Sequence, residues 1–193
     1  MGKGPGQRQV DRAPASETAR LFFAAWPSPE LQEALGKLAQ GLKRECGGRA
    51  IPAHNIHLTL AFLGDVGRDR LARIEEIAAA IAGQRFELNV TRVEYWRHNR
   101  TVWAGVEHCP AALQTLAAAL EQALSPEGFR FDRRPYVPHI TLLRDARRAP
   151  ATAAMPAVSW RVHEFALVES VPRERGRVYE VLRDWPLSAQ MSG

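Results

Sequence analysis

The sequence predicts an α+β fold of two similar lobes related by an approximate two-fold axis. Two observations lead there. The order strand, proline-started helix, strand occurs twice: LFFAAWP, SPELQEALGKLAQGL and NIHLTLAFL early in the chain, then TVWAGVE, CPAALQTLAAALEQAL and VPHITLL. Both closing strands also carry His-aliphatic-Thr-Leu, at His57-Leu58-Thr59-Leu60 and at His139-Ile140-Thr141-Leu142.

Each element has a local reason. Arg20–Trp26 is short, apolar and aromatic and stops at Pro27, which marks a buried strand. Ser28 caps a helix, Pro29 needs no donor in its first turn, and Glu30 suits its positive end. Leu31, Leu35, Leu38 and Leu42 follow helical spacing, and Gly47-Gly48 end it. His54–Leu63 is the next strand, closed by Gly64-Asp65. Arg68–Ala82 places Leu71, Ile74, Ile77, Ala78 and Ile81 on one helical face. Arg85–Trp96 and Thr101–Glu107 form a hairpin around His98-Asn99-Arg100. Leu113, Leu116, Leu120 and Leu124 mark the second lobe's helix, which ends in Ser125–Gly128. Val137–Leu143 is its closing strand, and Arg147–Pro156 is a loop. Ser159–Val171 and Arg177–Trp185 pair around Pro172–Gly176.

Composition narrows the function classes. The chain has 193 residues, 26 Lys and Arg, 21 Asp and Glu, and a net charge of +5. That surplus favours anionic partners and is too small for a histone-like tail. No apolar run approaches a membrane span, and the N-terminus lacks the apolar core of a secretory signal. Cys46 and Cys109 are too few and too distant for a disulfide framework or a CxxC site, so a reducing, cytoplasmic compartment is expected. Residues 1–19, rich in Gly, Pro and polar groups, read as a flexible leader, and 20–193 as one two-lobed domain.

The repeated tripeptide carries the chemistry. Six His and seven Thr give about 0.2 His-x-Thr by chance, and here two occur in matched contexts. Side chains on a strand alternate faces. His57 and Thr59 therefore share one face and Leu58 and Leu60 the other, and His139 and Thr141 are likewise set against Ile140 and Leu142. The aliphatic face packs on helices, leaving two His and two Thr around a common cleft. Two imidazoles suit a phosphodiester: one as base for the nucleophile, one as acid for the leaving oxygen. Thr hydroxyls donate to non-bridging phosphate oxygens. No metal or cofactor is needed. Arg144 supplies a cation suited to phosphate. Its odd offset from His139 puts it off the His/Thr face of a regular strand, so it turns inward only where the strand ends, near Leu143.

Other residues read more plainly. His54 suits a capping or loop role, and His98, His108 and His163 suit exposed positions. Trp96, Phe131 and Tyr136 are candidates for stacking on a base, although core or hairpin packing explains them more simply. Arg97, Arg100 and Arg133-Arg134 are basic runs that either steer RNA or form solvated faces.

The HLTL and HITL pair resembles the two-histidine phosphoesterase superfamily, defined by two HxTx motifs in one chain. RLFFAAWPSPELQEAL, NIHLTLAFLGDV, YVPHITLLRDAR and ESVPRERGRVYEVLRDWPL resemble its RNA 2′,3′-cyclic phosphodiesterase branch, historically called 2′-5′ RNA ligases. The resemblance extends over about residues 20–187. It implies a bilobal fold with two antiparallel sheets facing a central cleft and helices outside. It implies His57 as proton donor, His139 as proton acceptor, and Thr59, Thr141 and Arg144 on the phosphate. The implied reaction opens a 2′,3′-cyclic phosphate at an RNA end, tRNA halves among the possible substrates, to a 2′-phosphomonoester. A monomer without cofactor or membrane attachment is expected. The alternatives are joining such an end to a 5′-hydroxyl, acting on 2′-5′ oligonucleotides or small cyclic nucleotides, binding RNA without turnover, and a zinc site.

Overall fold

The computed structural model describes residues 17–131, 135–174 and 176–189. β1 (Thr18–Ala25) starts two residues before the expected strand, so Thr18 and Ala19 belong to the sheet. The rest of the expected leader, 1–16, and Arg133-Arg134 lie outside the described residues.

β1 is an unbroken apolar run because both its faces are covered. Leu21, Phe23 and Ala25 enter the main core, while Phe22 and Ala24 form a smaller cluster with Ala166 and Val168. α1 (Pro29–Cys46) begins as its sequence dictates: Ser28 Oγ accepts from the Leu31 amide, and Pro29 opens the first turn. It buries Leu35, Ala39, Leu42 and Cys46 against the sheet. Gly47 and Gly48 end it in left-handed conformations (φ 72° and 82°), and two-residue β2 (Arg49–Ala50) follows.

The strand expected over His54–Leu63 starts later. Ala53–Asn55 form a 3-10 turn, and β3 runs over Leu58–Gly67. Pro52 starts that turn and Asn55 turns inward, so His57 enters the sheet from a fixed corner. The following helix is shorter than its apolar stripe: α2 covers Leu71–Ala79 after a 3-10 turn over Arg68–Arg70. β4 (Phe86–Trp96), β5 (Thr101–Val106), α3 (Ala111–Leu124) and β6 (His139–Arg144) follow the expected order.

The segment read as one strand over Ser159–Val171 is two. β7 (Ala154–Val162) pairs with β4, whereas β8 (Glu164–Arg173) pairs with β1 and with β9 (Gly176–Pro186). The break falls at His163, whose carbonyl accepts from the Leu187 amide at 2.7 Å. Here the chain crosses between halves, and apolar alternation cannot record a change of partner.

The strands form one curled antiparallel sheet in the order β7-β4-β5-β6-β3-β1-β8-β9, with β2 beside β6. Outward from the centre, β6-β5-β4-β7 mirrors β3-β1-β8-β9, which is the two-fold relation expected from the repeat. At the centre of the sheet the two antiparallel halves meet where β3 pairs with β6, Leu58 with Ile140. These are the middle residues of the two His-x-Thr tripeptides. Both are buried in the main core. By strand alternation, the His and Thr beside each point to the opposite, open face.

Candidate active site

Each histidine is held in the same way. His57 Nδ1 lies 2.7 Å from the Asn55 carbonyl oxygen and His139 Nδ1 lies 2.9 Å from that of Val137, two residues back in both cases. A carbonyl only accepts, so Nδ1 carries the proton and Nε2 of the neutral ring keeps its lone pair. His57 Nε2 then accepts from Thr59 Oγ1 at 3.1 Å.

Aromatic rings wall in both imidazoles. Trp26 stacks on His57 (centroids 5.1 Å apart, planes at 17°), with Phe22 at 5.0 Å and the Tyr179 edge at 5.1 Å. Trp96 meets His139 at 4.6 Å and Trp103 at 6.1 Å. Gly105, paired with His139, makes room for Trp103: a Cβ there would stand 2.3 Å from the indole. Burial lowers the His57 pKa to about 4, and the charges of His139 and Arg144 add to the effect, partly offset by the bond to Asn55. Burial also lowers the His139 pKa, with Arg144 contributing. Burial thus favours the neutral form of both rings in the free protein.

A β-bulge settles the orientation of Arg144. β5 and β6 pair Trp103 with Thr141 but Val102 with Leu143, leaving Leu142 as an extra residue. Leu142 and Leu143 are consequently both buried, and the alternation restarts one step out of phase. Arg144 thus returns to the His/Thr face without the strand having to end. Its exposed side chain has no ion-pair or hydrogen-bond partner among the described residues. Gly48 packs against this corner: a Cβ would come within 2.6 Å of the Arg144 carbonyl. β3 has the corresponding bulge, pairing Ala24 with Thr59 and Phe23 with Ala61 around Leu60. The residue that it re-aims is Phe62, 47% exposed, with the Arg20 guanidinium over its ring.

A cavity of about 510 Å³ opens beside His139, lined by Thr59, Phe62, Trp96, Phe131 and Tyr136 among others, and His57 is not part of its wall. The Tyr136 hydroxyl donates to the Thr59 carbonyl at 2.7 Å, tying the approach to β6 onto β3. Trp96, Phe131 and Tyr136 thus combine packing with exposure to this cavity. His98 is exposed at its rim, whereas His54, His108 and His163 are exposed elsewhere. Sequence reading missed Phe22, Trp26, Asn55, Trp103 and Tyr179. Trp26 and Asn55 lie close to His57 in the chain, but Tyr179 is brought in by a distant hairpin.

No group of three or more His, Cys, Asp or Glu suited to a metal occurs among the described residues. None of their helices is long and apolar enough to cross a membrane. The arrangement offers two imidazole Nε2 atoms, two hydroxyls and one uncompensated guanidinium, a set suited to proton transfer at an anionic group.

The chain is similar to known proteins over most of its length. Residues 27–173 match the family model of the 2′-5′ RNA ligase superfamily. The chain is 36% identical to the RNA 2′,3′-cyclic phosphodiesterase of Escherichia coli over 90% of its length and 99% of that protein's. It is 30% identical to the enzyme of the same name from Archaeoglobus fulgidus, over 85% and 98% of the two chains. The structure of E. coli LigT complexed with 3′-AMP superposes with a TM-score of 0.81 at 32% identity, covering 89% of this chain and 99% of that one. The 2′-5′ RNA ligase superfamily is therefore the family to which this chain belongs.

Proposed function

We propose that this protein is an RNA 2′,3′-cyclic phosphodiesterase that opens the cyclic phosphate at an RNA end to a 2′-phosphomonoester. The observation that carries this reading is the pairing of two His-x-Thr strands through their middle residues, with both imidazoles tethered through Nδ1 and Arg144 turned to the same face.

Thr59, Thr141 and Arg144 hold the non-bridging oxygens. His139 Nε2 takes a proton from water as the water oxygen bonds to phosphorus. The P–O3′ bond breaks, and His57 Nε2 delivers a proton to O3′. The sum is one water consumed, one P–O bond made and one broken. His57 must first gain its proton. A substrate anion at ~4 Å favours the imidazolium by about 4 kcal/mol at an effective dielectric of ~20, or about three pKa units. A His57 pKa of about 4 in the free protein thus rises toward neutrality as substrate binds. The Asn55 carbonyl then stabilises the imidazolium through Nδ1–H. The two tethers are alike, so assigning donor to His57 and acceptor to His139 rests on the family resemblance.

The cavity beside Thr59 and His139 has the walls and size to take a nucleobase. We place the activity in the cytoplasm, on RNA ends such as tRNA halves, in a monomer without cofactor. The test is turnover of RNA ending in a 2′,3′-cyclic phosphate, with EDTA present, by wild type, His57→Ala and His139→Ala. Loss in both variants is expected. Full activity in either refutes the mechanism.

A further inference from the structure

We infer that the RNA body, upstream of the reacting phosphate, lies along one basic edge of the sheet that starts at Arg144. The inference rests on the cleft being an RNA-end site and adds where the remaining nucleotides run.

Three segments build this edge: 43–49 at the end of α1 and in β2, 97–100 in the β4–β5 turn, and 144–148 after β6. They are fastened together. Arg49 and Arg144 are register partners. The Arg49 guanidinium donates to Asp145 at 2.7 Å, and Arg100 donates to the same carboxylate at 3.4 Å. The Ala146 amide donates to the Arg100 carbonyl, the Arg147 amide to that of Cys46, and Arg148 Nε to that of Glu45.

Charge is distributed unevenly between this edge and the rest. Of the chain's 26 basic residues the three segments hold eight, and of its 21 acidic residues only two, Glu45 and Asp145; outside them 18 basic residues face 19 acidic ones. The positive surplus of the protein is therefore all on this edge. Elsewhere most of the described arginines have their own carboxylates, Arg20 with Asp65, Arg68 with Glu169, Arg161 with Glu87, Arg173 with Glu180 and Arg183 with Glu75 among them, while Arg85, Arg130 and Arg177 are scattered exposed residues without an ion pair among the described residues. On the edge, Arg49 and Arg100 share Asp145, while Arg97, Arg144, Arg147 and Arg148 are exposed without an ion pair among the described residues. Uncompensated guanidinium groups gathered on one edge repel each other and are relieved by a polyanion. Arg144 belongs both to the cleft and to this edge, so a strand whose terminal phosphate is in the cleft can continue over the neighbouring basic segments, which hold Arg49, Arg100 and Arg147.

The test compares two substrates and two triple variants. Arg97→Gln/Arg147→Gln/Arg148→Gln removes three charges from the edge. Arg161→Gln/Arg173→Gln/Arg183→Gln removes three from elsewhere as the control. On an RNA of ten or more nucleotides ending in a cyclic phosphate, the edge variant should raise KM at least tenfold. Its slope of log affinity against log salt should flatten by about two, near 0.7 per lost phosphate contact. Turnover of a 2′,3′-cyclic mononucleotide should change less than twofold, and the control should change neither substrate. Equal losses on both substrates, unchanged KM on RNA, or the same loss in the control overturns the inference. Binding of an RNA ending in a 2′-phosphate, read by anisotropy across salt, tests the edge even if wild type turns over neither substrate, which would instead refute the proposed activity. Thermal melting checks that both variants are folded.

Discussion

The two halves of the sheet share a scaffold and differ in what hangs from it. Each has a His tethered through Nδ1 to the carbonyl two residues back, a buried aliphatic residue, a Thr, and a bulge directly afterwards. The residue that the bulge turns to the open face is Phe62 in one half and Arg144 in the other. His57 is enclosed by Phe22, Trp26 and Tyr179, whereas His139 meets Trp96 and Trp103. The shared part fixes tautomer and placement, which any acid–base pair needs. The unshared part sets charge and proton affinity, which must differ between an acid and a base.

The largest effect should come from breaking the shared part. His57→Ala and His139→Ala should each lower kcat/KM on a cyclic-phosphate RNA end by about 10²–10⁴-fold, the usual contribution of a positioned acid or base. The double variant should be little worse than the worse single one, because the two act in one step. Losses that multiply fully in the double variant would show that the halves act independently.

Next comes the residue by which the halves differ. Arg144→Ala should cost about 10²–10³-fold in kcat/KM, comparable to losing an oxyanion donor, and Arg144→Lys should recover only part of it. Phe62→Ala should cost less than tenfold and act on KM. A larger loss at Phe62 than at Arg144 would reverse the comparison.

The burial of His57 has a thermodynamic counterpart. Its pKa is about 4 in the folded chain and about 6.5 unfolded, so the unfolded state takes up the proton first as pH falls. The stabilisation is complete above about pH 6.5 and is lost between there and pH 4, to the extent of about 3 kcal/mol. Denaturant midpoints for wild type and His57→Gln should converge or cross over that interval. A parallel pH dependence in the two proteins would contradict it.

The smallest effect tests the corner that holds Arg144. Gly48 has φ 82°, and a Cβ there would meet the Arg144 and Ala146 backbone. Gly48→Ala should destabilise the fold by about 1–3 kcal/mol and raise KM without changing the pH profile of kcat.

Much of the site was legible because strand alternation is a local rule. His57, Thr59, His139 and Thr141 had to share faces with one another whatever the partners of their strands. The aromatic walls were not legible, since Trp26 and Tyr179 meet only through the β1–β8–β9 pairing, and both are unexceptional strand residues by sequence. Arg144 is the instructive case. Its odd spacing argued against the cleft in a regular strand, and an inward turn was expected only from a strand end near Leu143; the two successive buried leucines, Leu142 and Leu143, are instead the trace of a bulge. The crossing at His163 was hidden for a similar reason, because the apolar pattern shows that a face is buried but not against which strand.

The sequence alone determined the α+β class, the duplicated strand–helix–strand order, and the two motifs with their polar and apolar faces, because propensity, capping and periodicity act over a few residues. Only the tertiary structure decided that the halves meet at the centre of the sheet through Leu58 and Ile140, that a bulge turns Arg144 to the histidines, and that burial favours the neutral form of both rings. Pairing register, bulges and desolvation depend on residues far apart in the chain, and no local pattern encodes them.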